Sequence, residues 1–225
     1  MRKLFIIIFF VTVSIGASAQ SQSNSTYSIG LKMFALEEQP KLLNEVRNNT
    51  KYYSSGLNGL MLKINDNQIS YRFAAYTFKE KDYTFRNQCS TCEIVSGNYN
   101  SLDIKIGFER SIIYSRLQPY YGLELGYKNV EFGGVSADAN SKAPIYNVNI
   151  EKNGVTLNPF LGLKLNVINA ITIGAEAGFD IIRTHDKETK TQLNSTLISN
   201  SNFDRWQYAS RPLARLSLQF NFGRD

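Results

Sequence analysis

The segment Leu213–Asp225, LARLSLQFNFGRD, decides how the rest of this chain is read. Arg215, Ser217, Gln219 and Asn221 alternate with Leu216, Leu218, Phe220 and Phe222. A strict period of two makes a β-strand with one apolar and one polar face. In a soluble sandwich the apolar face would meet a protein core. In a membrane barrel it would meet lipid, and the polar face would turn inward.

The same alternation recurs seven times upstream, over approximately 26–34, 56–64, 68–78, 102–112, 119–132, 155–167 and 170–183, with the last run extending over 208–222. Half of the runs have the 9–11 residues that a tilted strand needs to cross a bilayer, and the other half are longer. The connections alternate as well. NDN (Asn65–Asn67), YSRLQ (Tyr114–Gln118) and IN (Ile168–Asn169) are tight turns, whereas 35–55, 79–101, 133–154 and 184–207 are about 20 residues each and rich in Asn, Ser, Lys and Glu. Long and short connections in strict succession predict an all-β fold: an eight-stranded antiparallel up-and-down transmembrane β-barrel with long extracellular loops and short periplasmic turns. Helical folds are excluded apart from KLLNEVRNN (Lys41–Asn49), which follows Pro40 inside the first long loop and resembles a short helix.

The N-terminus supports export. Arg2 and Lys3 precede the apolar run Leu4–Val13, and Ala17-Ser18-Ala19 is a small-residue cleavage pattern before Gln20. This reads as a signal peptide over 1–19, leaving 20–225 as one barrel domain, and the run is shorter than the roughly 20 residues of a spanning helix. The formal charge of +6 includes the two signal-peptide cations. Lys and Arg are otherwise scattered singly among acids, so no nucleic acid partner is expected. Cys89 and Cys92, in RNQCSTCEIV, are expected to form a local disulfide in an exported chain. A redox role would need a helix head that is absent here, and one His beside two Cys is a poor metal set, so neither metal nor cofactor is expected.

A membrane barrel requires a continuous apolar face, and the sequence supplies one, from Ile29 and Leu31 through Leu60, Leu62, Tyr71, Phe73, Ile104, Ile106, Leu123, Leu125, Leu161, Leu163 and Ile173 to the closing Leu216–Phe222 series. A Lys or Arg at the bilayer midplane would cost about 2–4 kcal/mol, and this face carries almost none. The opposite face carries Lys32, Lys63, Arg72, Lys105, Lys128, Lys164 and Arg215 interleaved with Asp103, Glu109, Glu124, Glu176 and Asp180. Buried charges are tolerated when paired, so these twelve are expected to form an ionic network that plugs a narrow barrel, with glycines making room for large neighbours. Tyr27, Tyr127, Phe132, Trp206 and Tyr208, at strand ends, read as an interfacial girdle. Tyr52, Tyr53 and Tyr146 fall in loops, where they would serve partner recognition.

RPLARLSLQFNFGRD (Arg211–Asp225), PYYGLELGYKN (Pro119–Asn129) and NPFLGLKLNVINAITIGAEAGFDI (Asn158–Ile181) resemble the outer-membrane β-barrel protein family, the small OmpA- and OmpX-like or porin-family barrels of Gram-negative bacteria. The resemblance lies in the alternating aromatic C-terminal strand, the aromatic–Gly–x–Gly strands and the tight periplasmic turn. It implies a location in the cell outer membrane, contact with outer-membrane lipid and recognition of the last strand by barrel-insertion machinery. It also implies a monomer with a structural or surface-interaction role through its loops, engaging an extracellular or envelope protein, and no catalytic activity. Two other readings remain open. One is a narrow or gated channel for small solutes. The other is a barrel-rim hydrolase or acyltransferase using His185 and Asp186 with a further Asp or Ser from another loop; Glu176 and Asp180 would be an alternative acid/base pair.

Overall fold

The computed structural model describes residues 25–224 except 48, 67, 194 and 196, so the N-terminal segment read as a signal peptide lies outside the described residues. Eight strands follow one another in chain order: β1 Ser25–Glu37, β2 Tyr53–Asp66, β3 Ile69–Asn87, β4 Glu93–Ser111, β5 Leu117–Asp138, β6 Pro144–Ile168, β7 Ile171–Gln192 and β8 Ile198–Arg224. Each pairs antiparallel with its sequence neighbours, and β1 pairs with β8, closing the barrel through Ile29↔Phe220, Gly30↔Gln219 and Leu31↔Leu218. Closure gives every strand two partners and leaves no open edge where the ladders run complete.

The long excursions remain long, but their content differs from the sequence reading. Most of 79–101, 133–154 and 184–207 continues the flanking strands as extended hairpins, closed by residues 88–92, 139–143 and 193–197. Of the long excursions only 38–52, between β1 and β2, carries no strand in its described residues, and no helix occurs among the described residues. The helix-like stretch is not helical over 41–47, where tertiary contacts take over. Leu42 and Leu43 are buried in the barrel, Leu43 takes a left-handed backbone (φ 46°), and Glu45 bridges to Asn87 on β3. Burying two leucines outweighs the weak helix propensity of nine residues.

The polarity of the two barrel faces inverts along the strands, as β6 illustrates. Its outward series runs Asn147, Asn149, Glu151, Asn153, then Val155, Leu157, Leu161, Leu163 and Leu165. Its inward series runs Tyr146, Val148, Ile150, then Lys152, Thr156, Asn158, Phe160 and Lys164, mostly polar in the second part. Towards the short turns, apolar side chains therefore coat the outside, with Leu161 66% exposed and Leu163 51%. Towards the hairpin tips the outside is polar and the inside apolar. The aromatics Tyr127, Trp206 and Tyr208 stand exposed at the changeover.

Candidate functional site

The interior is the part of the molecule that holds unusual chemistry, and it is built in two ionic layers. In the lower layer, nearer the short turns, Arg72 on β3 reaches Glu109 on β4 (3.1 Å), Glu124 on β5 (2.9 Å) and Glu176 on β7 (3.0 Å). Arg215 on β8 reaches Glu176 (2.6 Å) and Glu124 (3.2 Å), and Lys63 and Lys164 close on Glu109 at 2.8 and 2.6 Å. The guanidinium groups thus tie opposite walls together. Tyr120 donates to Glu176 (2.6 Å), and Arg215 also touches the Tyr76 hydroxyl. In the layer above, Lys105 meets Asp180 (3.0 Å) and Asp103 (3.3 Å), Lys128 lies 3.8 Å from Asp103, and Arg211 holds Glu37 (2.6 Å) and Asp180 (3.4 Å), with Lys32 on Glu37 at 2.9 Å.

The structure brings all twelve of the charged residues read from the alternating pattern into this interior, each at most 9% exposed. Four members escaped the sequence reading. Glu37 did so because 35–55 was read as a connection, whereas β1 runs on to Glu37 and a bulge at Met33–Phe34 shifts its inward parity from Lys32 to Ala35 and Glu37. Arg211 shares its parity with Arg215, so the signal was present, although an irregularity in the β7–β8 ladder falls between them. Tyr76 and Tyr120 are inward aromatics whose signal is the small residue opposite. A Cβ on Gly162 would collide with the Tyr120 ring, and one on Gly59 with the Tyr76 ring.

Above the ionic layers the interior becomes mainly an aromatic and aliphatic plug, with a buried ionic group of Lys152, Asp186 and Glu188 along β6 and β7 beside it. Tyr83 stacks on Tyr99 (ring centroids 4.8 Å apart) and on Tyr53 (4.9 Å), Phe85 meets Phe132 edge-on (5.6 Å), and Val95, Val130, Val148 and Ile150 fill around them. Phe132 therefore belongs to this plug and not to the girdle, and Tyr53 and Tyr146 face inward instead of presenting loop surfaces; Tyr52 is exposed. Burial raises the Tyr83 and Tyr99 phenols well above their usual range and pushes Tyr146 up to about 12. Leu42 and Leu43 cap the plug from the β1–β2 connection. That strap is held by Arg47 on Glu38 (2.6 Å) and Glu45 (2.7 Å), and by Arg205 donating to the Leu43 carbonyl (2.7 Å).

The sites read as candidate catalytic groups separate. His185 and Asp186 are neighbours on β7 and point to opposite faces: Asp186 is fully buried on Lys152, while His185 is exposed and lies 2.9 Å from Asp204 of β8 on the outer wall. Asp204 is held below the usual carboxylate range, chiefly by that hydrogen bond. Glu176 and Asp180 fall in different ionic layers, each clamped by arginine. Cys89 and Cys92 are joined by a disulfide (S–S 2.04 Å) at the β3–β4 tip. Among the described residues no group of His, Cys, Asp or Glu has the arrangement of a metal site.

No family model matches the chain, and no curated protein matches it. Among solved structures it is similar to the crystal structure of the ferric yersiniabactin uptake receptor FyuA from Yersinia pestis, at 12% identity and a TM-score of 0.34. That alignment covers 67% of this chain and 24% of the receptor, so the chain spans about a quarter of the receptor's length.

Proposed function

We propose that this chain is an integral outer-membrane β-barrel of the kind found in Gram-negative bacteria, closed to solutes, with a structural or surface-interaction role. The inversion of polarity along its strands carries the reading. Leucines stand outside where arginines and glutamates fill the inside, and the order reverses beyond Tyr127 and Trp206. Val155 to Leu165 on β6 is eleven residues. At about 3.3 Å per residue and the tilt of about 40° usual in barrels this spans roughly 28 Å, close to the apolar band of such proteins. A water-soluble barrel would expose that band at a prohibitive cost in apolar area.

In this setting the lower half spans the membrane and the hairpins project outward. The last strand, with Leu216, Leu218, Phe220 and Phe222 on its lipid side, is the segment we assign to the barrel-insertion machinery. The cross-barrel arginines argue against an open pore. The decisive experiment combines cell fractionation with gel mobility of unboiled and boiled samples. Recovery in the outer membrane with a heat-modifiable band is the expected result, and a soluble periplasmic protein of unchanged mobility would overturn the reading. The channel alternative requires the ionic layers to part, and reproducible single-channel openings in planar bilayers would favour it.

A further inference from the structure

Below the lower ionic layer the interior widens into a polar vestibule at the short-turn mouth, with about 50 Å³ of space. At 10–15 Å³ per water this is room for roughly three to five waters, enough for a compact tetrahedral ion. Its rim is a hydrogen-bonded collar over five consecutive strands. Asn65 donates to Ser28 (2.9 Å), Ser28 to Asn221 (2.8 Å), Asn221 to Thr172 (3.0 Å) and Thr172 to Asn166 (2.8 Å). The collar holds the mouth open and polar without any charge of its own.

The floor of the vestibule is charged, and the charge is unbalanced. Arg72 and Arg215 share Glu124 and Glu176, two cations against two carboxylates. The third carboxylate of the lower layer, Glu109, faces both Lys63 and Lys164 and is also touched by Arg72, so the layer holds four cations against three carboxylates. Glu109, Lys63 and Lys164 are the charged residues lining the vestibule, so the surplus positive charge sits at its floor. Each ammonium has three donors. Lys63 uses two on Glu109, and Lys164 uses one on Glu109 and one, at 3.4 Å, on Ser111, so each keeps one donor without an oxygen partner, although both ammonium groups also lie over the Tyr120 ring, at 5.8 and 4.6 Å.

We propose that the vestibule binds a small free oxyanion, of phosphate or sulfate size, between Lys63 and Lys164. The ion offsets the surplus charge, a dianion more than offsetting it, and takes the remaining ammonium donors, while Glu109 limits its affinity by repulsion. The site follows from the barrel interior alone and stands whether or not the outer-membrane reading holds.

The test is calorimetric titration of the detergent-refolded protein with inorganic phosphate and with sulfate, at constant ionic strength in chloride. One saturable site per barrel is expected, in roughly the millimolar range. Lys164→Gln is expected to weaken binding about tenfold or more by removing a charge-assisted donor. Glu109→Gln is expected to tighten it, and Lys128→Gln, in the other layer, to leave it unchanged. Absence of saturable binding to the wild-type protein, or equal losses in Lys164→Gln and Lys128→Gln, would overturn the site. Should Glu109→Gln fail to refold, the contrast between the two lysine variants still decides. Glycerol phosphate tests an esterified source such as a lipid headgroup. The collar is expected to disfavour it, and tighter binding than inorganic phosphate would overturn the free-ion assignment.

Discussion

The lower and upper halves of the barrel share strands, register and handedness, yet they obey opposite rules. Below Tyr127 and Trp206, Leu161 and Leu163 face outward while Arg72 and Glu109 are buried. Above that level, Asn149 and Glu151 face outward while Tyr83, Phe85 and Ile150 are buried. The contrast teaches that a strand's parity fixes which residues share a face, while the surrounding solvent fixes which face is apolar. It also separates two ways of filling a narrow barrel. Paired charges fix the walls to one another through directional bonds, and aromatic rings fill space by packing.

The largest expected effect lies in the lower half. Arg72→Met leaves Glu109, Glu124 and Glu176 short of a shared partner, and removing one member of a buried ionic set typically costs about 3–5 kcal/mol. Urea unfolding of the refolded protein reads this directly, and a loss below 1 kcal/mol would mean that the lower layer is not a structural plug. Next is a paired substitution on the outer wall. Leu161→Arg is expected to cost about 2–4 kcal/mol in bilayer stability, while Asn149→Arg, outward on the same strand but above the band, stays within about 0.5 kcal/mol. Equal effects of the two would erase the distinction between the halves.

Alkaline titration probes the aromatic plug. A tyrosine whose folded pKa is raised above its unfolded value near 10 contributes stability that is fully present below pH 10 and is lost as pH rises towards the folded value. Tyr83, Tyr99 and Tyr146 all belong to the upper plug and all are raised, Tyr146 to about 12. The upper half is therefore expected to loosen between pH 10 and 12, seen as delayed phenolate absorbance followed by protease sensitivity of the hairpins. The smallest effect is expected from reduction of Cys89–Cys92, which closes only the β3–β4 tip; chain-entropy reasoning limits it to about 2 kcal/mol, local to that hairpin. Hydrogen exchange should register the change at residues 85–97 and leave β6 and β7 untouched.

Much of the lower half was legible in the sequence, because its two faces differ so sharply. Leucine and phenylalanine at every second position leave the charged residues between them a single place to go. The upper half was harder to read. In YNVNIEKNG (146–154) the period of two is present, but Asn at alternate positions gives the stretch the composition of a loop. The girdle assignment of Phe132 and the loop assignments of Tyr53 and Tyr146 failed for the same reason: the strands continue past the band, and an inward aromatic there packs against others. Glu37 was hidden by the reading of 35–55 as a connection and by a one-residue bulge, which reverses parity without any mark in composition. The disulfide was expected from two cysteines three positions apart once the N-terminus was read as an export signal, whereas the strap formed by Leu42 and Leu43 follows from no local pattern.

Alternation and connection length, both properties of the chain alone, determined the strand number, the antiparallel order and the partition of side chains between two faces. Tertiary structure decided the rest, because those outcomes depend on distances across the lumen between residues far apart in sequence. Closure of β1 on β8 set which arginine reaches which carboxylate, left Lys63 and Lys164 sharing Glu109, and drew the β1–β2 connection inward over the aromatic plug. A period of two records a direction for each side chain, and only the closed ring supplies the partner it meets there.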